Sequence, residues 1–179
     1  MDAQAMLEKL TAKFPGAVKG SADRFGQLEI QLEAKSIADV IAFLRDDSEL
    51  AFNMLIDIVG IDYSAFPGHT GDRFAAVYLL KSLTLSHRAQ LKVTAPEDKP
   101  EVPTISHLYA NANWSEREAY DQIGIKFVGH PNLKRILNHH EFVGHPLRKD
   151  YPITRRQALS ANESLMDEMA VRLKERGWE

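Results

Sequence analysis

The chain has no cysteine. That absence excludes disulfides, thiolate metal ligands, cysteine-ligated iron–sulfur clusters and cysteine nucleophiles within it, and it fits a reducing compartment. Long apolar runs are also missing. No stretch approaches the roughly 18 residues of a membrane span, so any work at a membrane is expected to be held there by other chains. The first residues, MDAQAMLEKL, carry acids and lack the apolar centre of a secretory signal. There is no Gly-rich phosphate loop, no dinucleotide fingerprint and no Gly-x-Ser-x-Gly elbow. Nor is there a large excess of one charge: 22 Lys/Arg against 25 Asp/Glu leave a net charge of −3.

What is present is ordinary globular material. The 179 residues are 44% apolar and 26% charged, enough for one domain with a core plus a tail. The charge is unevenly placed. Seven Lys/Arg and two acids lie between Lys126 and Arg156, while residues 1–60, 61–125 and 157–179 are each net acidic.

Ala3, Met6, Leu7, Leu10 and Phe14 recur at helical spacing until Pro15-Gly16 stops them. Leu28, Ile30 and Leu32 alternate with polar residues and predict a strand with one wet face. Ser36 and Asp39 predict an N-cap and its N3 acid, followed by a helix with Ile37, Val40, Ile41 and Leu44 along one stripe. Asn53 to Tyr63 is apolar on both phases, the pattern of a central strand. Phe74 to Leu83 predicts another strand, and strict alternation from Leu83 to Val93 a further one. The sum is an α+β fold: two helices packed on a mainly antiparallel sheet (residues 1–95), then an extended Pro/Gly-punctuated tail with a short final helix. Residues 96–124 form a proline-rich acidic loop and a helix, in which Ser115 and Glu118 predict a capping box and Gly124 a C-terminal stop. Residues 125–179 are the tail. Its helix is expected near Ser160-Ala161-Asn162-Glu163, with Leu165, Met166, Met169 and Leu173 on one side.

The tail holds four of the seven histidines and repeats Gly-His-Pro fifteen residues apart, at 129–131 and 144–146. A zinc site needs converging ligands. His139 and His140 are adjacent and diverge, and the prolines after His130 and His145 push those two toward extended backbone. The reading favoured here is two turns whose imidazoles bond to backbone carbonyls. His87, on the apolar phase of its strand, reads as a core histidine. Glu116, Arg117, Glu118 and Asp121 read as structural rather than as paired acid–base carboxylates. Arg148, Lys149, Asp150, Arg155 and Arg156 form a basic patch, but with Tyr151 as its lone aromatic it lacks the stacking platform of a nucleic-acid site.

EREAYDQIGIKFVGHPNLKRIL (residues 116–137) followed by GHPLRKDYP (144–152) resembles the signature of the thirty-kilodalton subunit of respiratory complex I, the proton-pumping NADH:quinone oxidoreductase. The matching positions include Glu116, Arg117, Glu118, Asp121, Gly129, His130, Pro131 and Arg135 in the first block. The second supplies Gly144, His145, Pro146, Leu147, Arg148, Lys149, Asp150 and Tyr151. IDIVGIDY (56–63) is similar too. Gln122-Ile123 departs from the pattern, and residues 154–179 match nothing. The resemblance implies a core scaffold subunit of the peripheral arm, with no catalytic residue, cofactor or metal of its own. FMN, iron–sulfur clusters and quinone are expected on partner subunits. It also implies docking on the forty-nine-kilodalton quinone-site subunit and contact with other peripheral-arm subunits. No nucleic acid and no membrane span of its own are expected, and the place implied is the cytoplasmic face of the inner membrane. The motif residues would then be partner contacts, with Arg148 offering a fork to a partner carboxylate. The isolated tail is expected to be mobile, because little apolar surface within the chain is left to receive it. The homologous subunit of a membrane-bound hydrogenase-type complex is the alternative. A His-based metalloprotein is the alternative of another class.

Overall fold

A computed structural model describes residues 3–24, 27–157 and 160–176. The amphipathic stripes become α1 (Ala3–Lys13) and α2 (Ile37–Asp46). Five strands, β1 (Val18–Arg24), β2 (Gln27–Leu32), β3 (Met54–Asp62), β4 (Phe74–Lys81) and β5 (Arg88–Ala95), form one sheet in the order β1-β2-β5-β4-β3. All neighbours are antiparallel except the parallel pair β2–β5. A second, two-stranded parallel sheet joins β6 (Glu101–Pro103) to β7 (Lys126–Val128) across α3 (Ala112–Ile123), and α4 spans Ser160–Glu175. The architecture is the expected α+β fold.

The two sheet faces are unlike. One row of the inner face runs Gly60, Ala76, Val93, Leu32. On this side Met6 and Leu10 of α1 and Ile37, Val40, Ile41 and Leu44 of α2 join Ile30, Tyr78 and Leu91 in one core. Each large aliphatic side chain buried there contributes about 1.5–3 kcal/mol. The same face receives α3, because a side chain at Gly60 would point into Ile123 and Ala119. The outer face carries Met54, Val59 and Ile61 of β3 beside Lys81, Leu79, Val77 and Ala75 of β4, and then Arg88, Gln90, Lys92 and Thr94 of β5. Ala75 and Val77 are buried there without belonging to the core cluster.

Three local expectations are corrected. The strand expected over 53–63 is β3, Met54–Asp62, and it is an edge strand, not a central one; the strand buried on both phases is β4. The alternation from Leu83 does not start a strand there. Ser82 N–H donates to His87 O (2.9 Å), Leu83 N–H to Asn53 Oδ1 (3.0 Å) and Leu85 N–H to Ser82 Oγ (3.1 Å), so turn chemistry holds the hairpin until β5 opens at Arg88. Ser36 precedes α2 as expected but its side chain makes no cap bond, because a 3₁₀ turn (Ala34–Ser36) already leads into the helix. The side chains of the predicted cap of α4 lie outside the described residues; Leu165, Met166, Met169 and Leu173 of that helix are exposed.

Gly60 fixes the spacing of β3 and α3. Gly60→Val would place branched carbons where a Cβ alone already meets Ile123 Cγ1 at 3.0 Å. The expected outcome is a loss of about 1–3 kcal/mol in urea denaturation, with the α3 amides the first to gain hydrogen exchange.

Candidate functional site

The segment after α3 has almost no regular structure, so its backbone groups need partners other than a ladder. Two buried carboxylates supply them. Asp121, on α3, is fully buried. Its Oδ2 accepts three successive amides, from Ile136 (3.0 Å), Leu137 (2.9 Å) and Asn138 (2.8 Å). Its Oδ1 accepts Arg135 Nη1 at 2.6 Å. Burial alone would raise this acid; the donors from Asn138, Arg135 and Ile136 outweigh it and hold the carboxyl down at about 2. Arg135 continues to Gly144 O (2.8 Å), and the Asp121 carbonyl takes His145 Nδ1 (3.0 Å).

The second carboxylate is Asp62, at the end of β3. Arg73 meets it with a bidentate fork, Nε at 3.1 Å and Nη2 at 3.0 Å. The amides of Ser64 and Lys149 donate at 2.9 Å each. Against the cost of burial, these donors, Arg73 foremost, hold Asp62 well below the usual carboxylate range. Arg73 Nη2 also meets Asp150 at 2.9 Å. Arg73 and Arg148 both lie over the Phe74 ring, at 4.9 and 4.7 Å. Arg148 Nε donates to Ile123 O (2.6 Å), and Leu147 N–H to Gln122 O (3.0 Å). Gly124 ends α3 in the left-handed region (φ 88°), where a Cβ would collide with the Arg148 guanidinium and the His145 ring. Residues 144–151 are thus fastened across the end of α3 and β3.

Glu116 behaves differently. It is fully buried and has no cation partner among the described residues; Thr104 Oγ1 lies 2.5 Å from Oε2, and Ile105 N–H donates to Oε1 at 2.7 Å. Burial pushes the acid up to about 7 against these two hydrogen bonds. In the protonated form its hydroxyl donates to Thr104 Oγ1, which is free to donate to Ser106 Oγ at 2.9 Å.

The predicted capping box does not form. Helix α3 starts at Ala112, three residues before Ser115. Ser115 Oγ donates to Asp57 (2.9 Å), and Glu118 lies exposed in a shallow groove with Val59, Gly60, Gln122 and Leu147. Arg117 donates to the carbonyls of Lys134 (2.9 Å) and Arg135 (3.0 Å), not to a carboxylate. Both Gly-His-Pro units are turns as read. His130 Nε2 meets Asn113 O at 3.2 Å while its Nδ1 accepts Asn132 N–H at 3.0 Å, which assigns the proton to Nε2. Burial lowers the pKa of His145. Gly129 (φ 87°) and Gly144 (φ 98°) make the turns, and Pro131 and Pro146 follow them. His87 bonds Leu50 O at 2.6 Å. Tyr151 stacks on Phe142. Among the described residues no three His, Asp or Glu side chains converge as metal ligands. Residues 125–157 are held by burial of Ile125 and Phe127 in the core and, beyond them, by hydrogen bonds to Asp121 and Asp62. Asp62, Arg73 and Thr104 went unnoticed in the sequence. Only Asp62, an acid closing an apolar strand, carried a signal.

The family model described as respiratory-chain NADH dehydrogenase, 30 Kd subunit, matches residues 30–157. The NADH-quinone oxidoreductase C subunit of Caulobacter vibrioides is 46% identical over 147 residues, 82% of this chain and 72% of that protein. Its counterpart of the same name in Roseiflexus sp. is 44% identical over 153 residues, 86% of each. The solved trypsin-resistant fragment (1-134) of Nqo5 superposes with a TM-score of 0.65 at 36% identity, covering 74% of this chain and 100% of that one. The fold also recurs in a chain of the membrane-bound sulfane sulfur reductase, an archaeal respiratory membrane complex (TM-score 0.69, 24% identity, 84% and 86% covered).

Two variants separate the buried acids. Asp121→Asn keeps an acceptor for the three amides but sets an amide donor against Arg135. The expected cost is about 3 kcal/mol, as for a broken buried pair, read by urea denaturation, with faster exchange at Ile136, Leu137 and Asn138. Glu116 has the opposite linkage. Its folded value of about 7 lies above the unfolded one, so the folded state holds the proton more tightly. Stability therefore falls as pH rises from about 4.3 to about 7, on the order of 3 kcal/mol in total. Glu116→Gln mimics the protonated form and is expected to flatten that limb when denaturation midpoints at pH 5 and pH 8 are compared.

Proposed function

This chain belongs to the family of respiratory-chain NADH dehydrogenase 30 Kd subunits, and from that premise we propose that it is a scaffold subunit of the peripheral arm. Its partner is the quinone-site subunit of that arm. It contributes no catalytic group and carries no cofactor; FMN, iron–sulfur clusters and quinone belong to the other subunits. It sits on the cytoplasmic face of the inner membrane through those partners. Among the described residues no helix is long and apolar enough to cross a membrane.

One observation carries the reading. Residues 130–151 are fastened from within by Asp121 and Asp62, yet Leu137 and Leu147 point their side chains outward, and Ile153 just beyond is 99% exposed. A segment held by its backbone, with apolar side chains turned to solvent, is built to meet another surface. Its polar motif residues set the shape. Arg148, Asp150 and His145 hold the path of the chain, and the leucines are the anchors.

Arg148→Ala with Asp150→Ala removes the Ile123 carbonyl bond and the Arg73 pair. Tagged double mutant purified from solubilised membranes is expected to bring down several-fold less of the quinone-site subunit. NADH:quinone activity per assembled complex should stay unchanged. Full assembly together with lost turnover would sink the scaffold reading.

A further inference from the structure

Among the described residues, no element packs on the outer face of the sheet at its β3 edge. The half of the face nearest that edge is mainly aliphatic: Met54 and Val59 are 39% and 38% exposed, Ile61 and Leu79 are half-buried, and Asp57, in register with Leu79, is engaged by the Ser115 hydroxyl. A strand written with apolar residues on both phases is the pattern of one covered on both sides, yet these four aliphatic side chains lack a cover. The strip beside it, on β4 and β5, is basic, and Glu29 of β2, bonded to Gln90, lies beyond it. Lys81 and Arg88 face each other across β4–β5 and have no ion-pair partner among the described residues; Lys92 lies over the Tyr63 ring at 4.5 Å and has no acid there either. The surface is therefore an aliphatic strip along one edge with a row of unpaired cations beside it. At Val59 it runs into the groove that reaches Leu147.

We propose that this face is a second docking surface, covered by a partner-subunit segment that carries aliphatic side chains flanked by aspartate or glutamate. The proposal rests on the scaffold reading and adds the location and the chemistry of a contact distinct from the 125–157 segment. Acidic flanks would pair with Lys81, Arg88 and Lys92, while the aliphatic side chains cover Met54, Val59 and Leu79. The charge asymmetry orients the partner, because its acids are drawn toward β5 and repelled from Glu118 in the groove. A second copy of this chain is a poor occupant, since it would bring the same cations to the contact.

The absence of cysteine gives the test. Single variants Met54→Cys and Val59→Cys are labelled with a maleimide, first in the isolated chain and then in the purified complex, with Lys99→Cys as the exposed reference. The proposal expects labelling of the first two sites to fall by roughly tenfold or more in the complex, as for side chains removed from water at an interface core, with no change at the reference. Lys81→Glu with Arg88→Glu should lower recovery of the chain in the complex without lowering its own melting temperature. Equal labelling in chain and complex overturns the proposal. Protection of the isolated chain by anionic vesicles alone overturns it in favour of a lipid surface, and protection by concentration alone in favour of self-association. A chain that enters no respiratory complex at all gives a different result, a failure of the scaffold reading itself.

Discussion

A carboxylate taken out of water must be met by donors, and that demand organises the second half of this protein. Asp121 and Asp62 sit where α3 and β3 offer them no ladder partner. They are satisfied by amides and guanidinium groups brought from residues 64–73 and 135–149. The irregular segment is folded because those acids collect its N–H groups. Its apolar content is modest, and several of its apolar side chains remain outside. Remove the side-chain oxygen and the backbone of 136–138 loses its common acceptor, which no neighbouring strand could replace.

Glu116 shows how depth and donor type act together. Neither acid is exposed, but Glu116, five residues before Asp121 on the same helix, is enclosed more deeply, and it has a hydroxyl and one amide where Asp121 has three amides and a guanidinium. The two acids therefore depart from their ordinary values in opposite directions. One is an ionic anchor. The other, its proton held up to about 7, is a hydrogen-bonded bridge between α3 and the loop at Thr104–Ser106.

Much of the first half was legible in the sequence. The alternation in β2 and the stripe of α2 each report one wet and one buried side, and both elements appear where the periods place them. The Gly-His-Pro turns were legible too, since a proline constrains the residue before it. β3 was misplaced because its composition reports burial on both phases while the isolated chain covers only one. The apparent capping box failed because Ser115 and Glu118 fall a turn inside a helix that had already begun. The Asp62 cluster was hidden for a different reason. Arg73 lies 11 residues from Asp62 and Lys149 lies 87 away, and no local period links such positions. The α+β fold was therefore readable from repetition, while the site depended on contacts that only the assembled fold brings together.

The triple-amide cradle of Asp121 has one more consequence, and it concerns the entropy of association. A free segment must give up about 1–2 kcal/mol of backbone freedom per residue when it is ordered by a partner. Here residues 135–151 have surrendered much of that freedom during folding, to acids of their own chain. A partner meeting them encounters a set shape rather than a fluctuating strand. Less of the contact energy is consumed in ordering, and docking approaches the meeting of two rigid bodies.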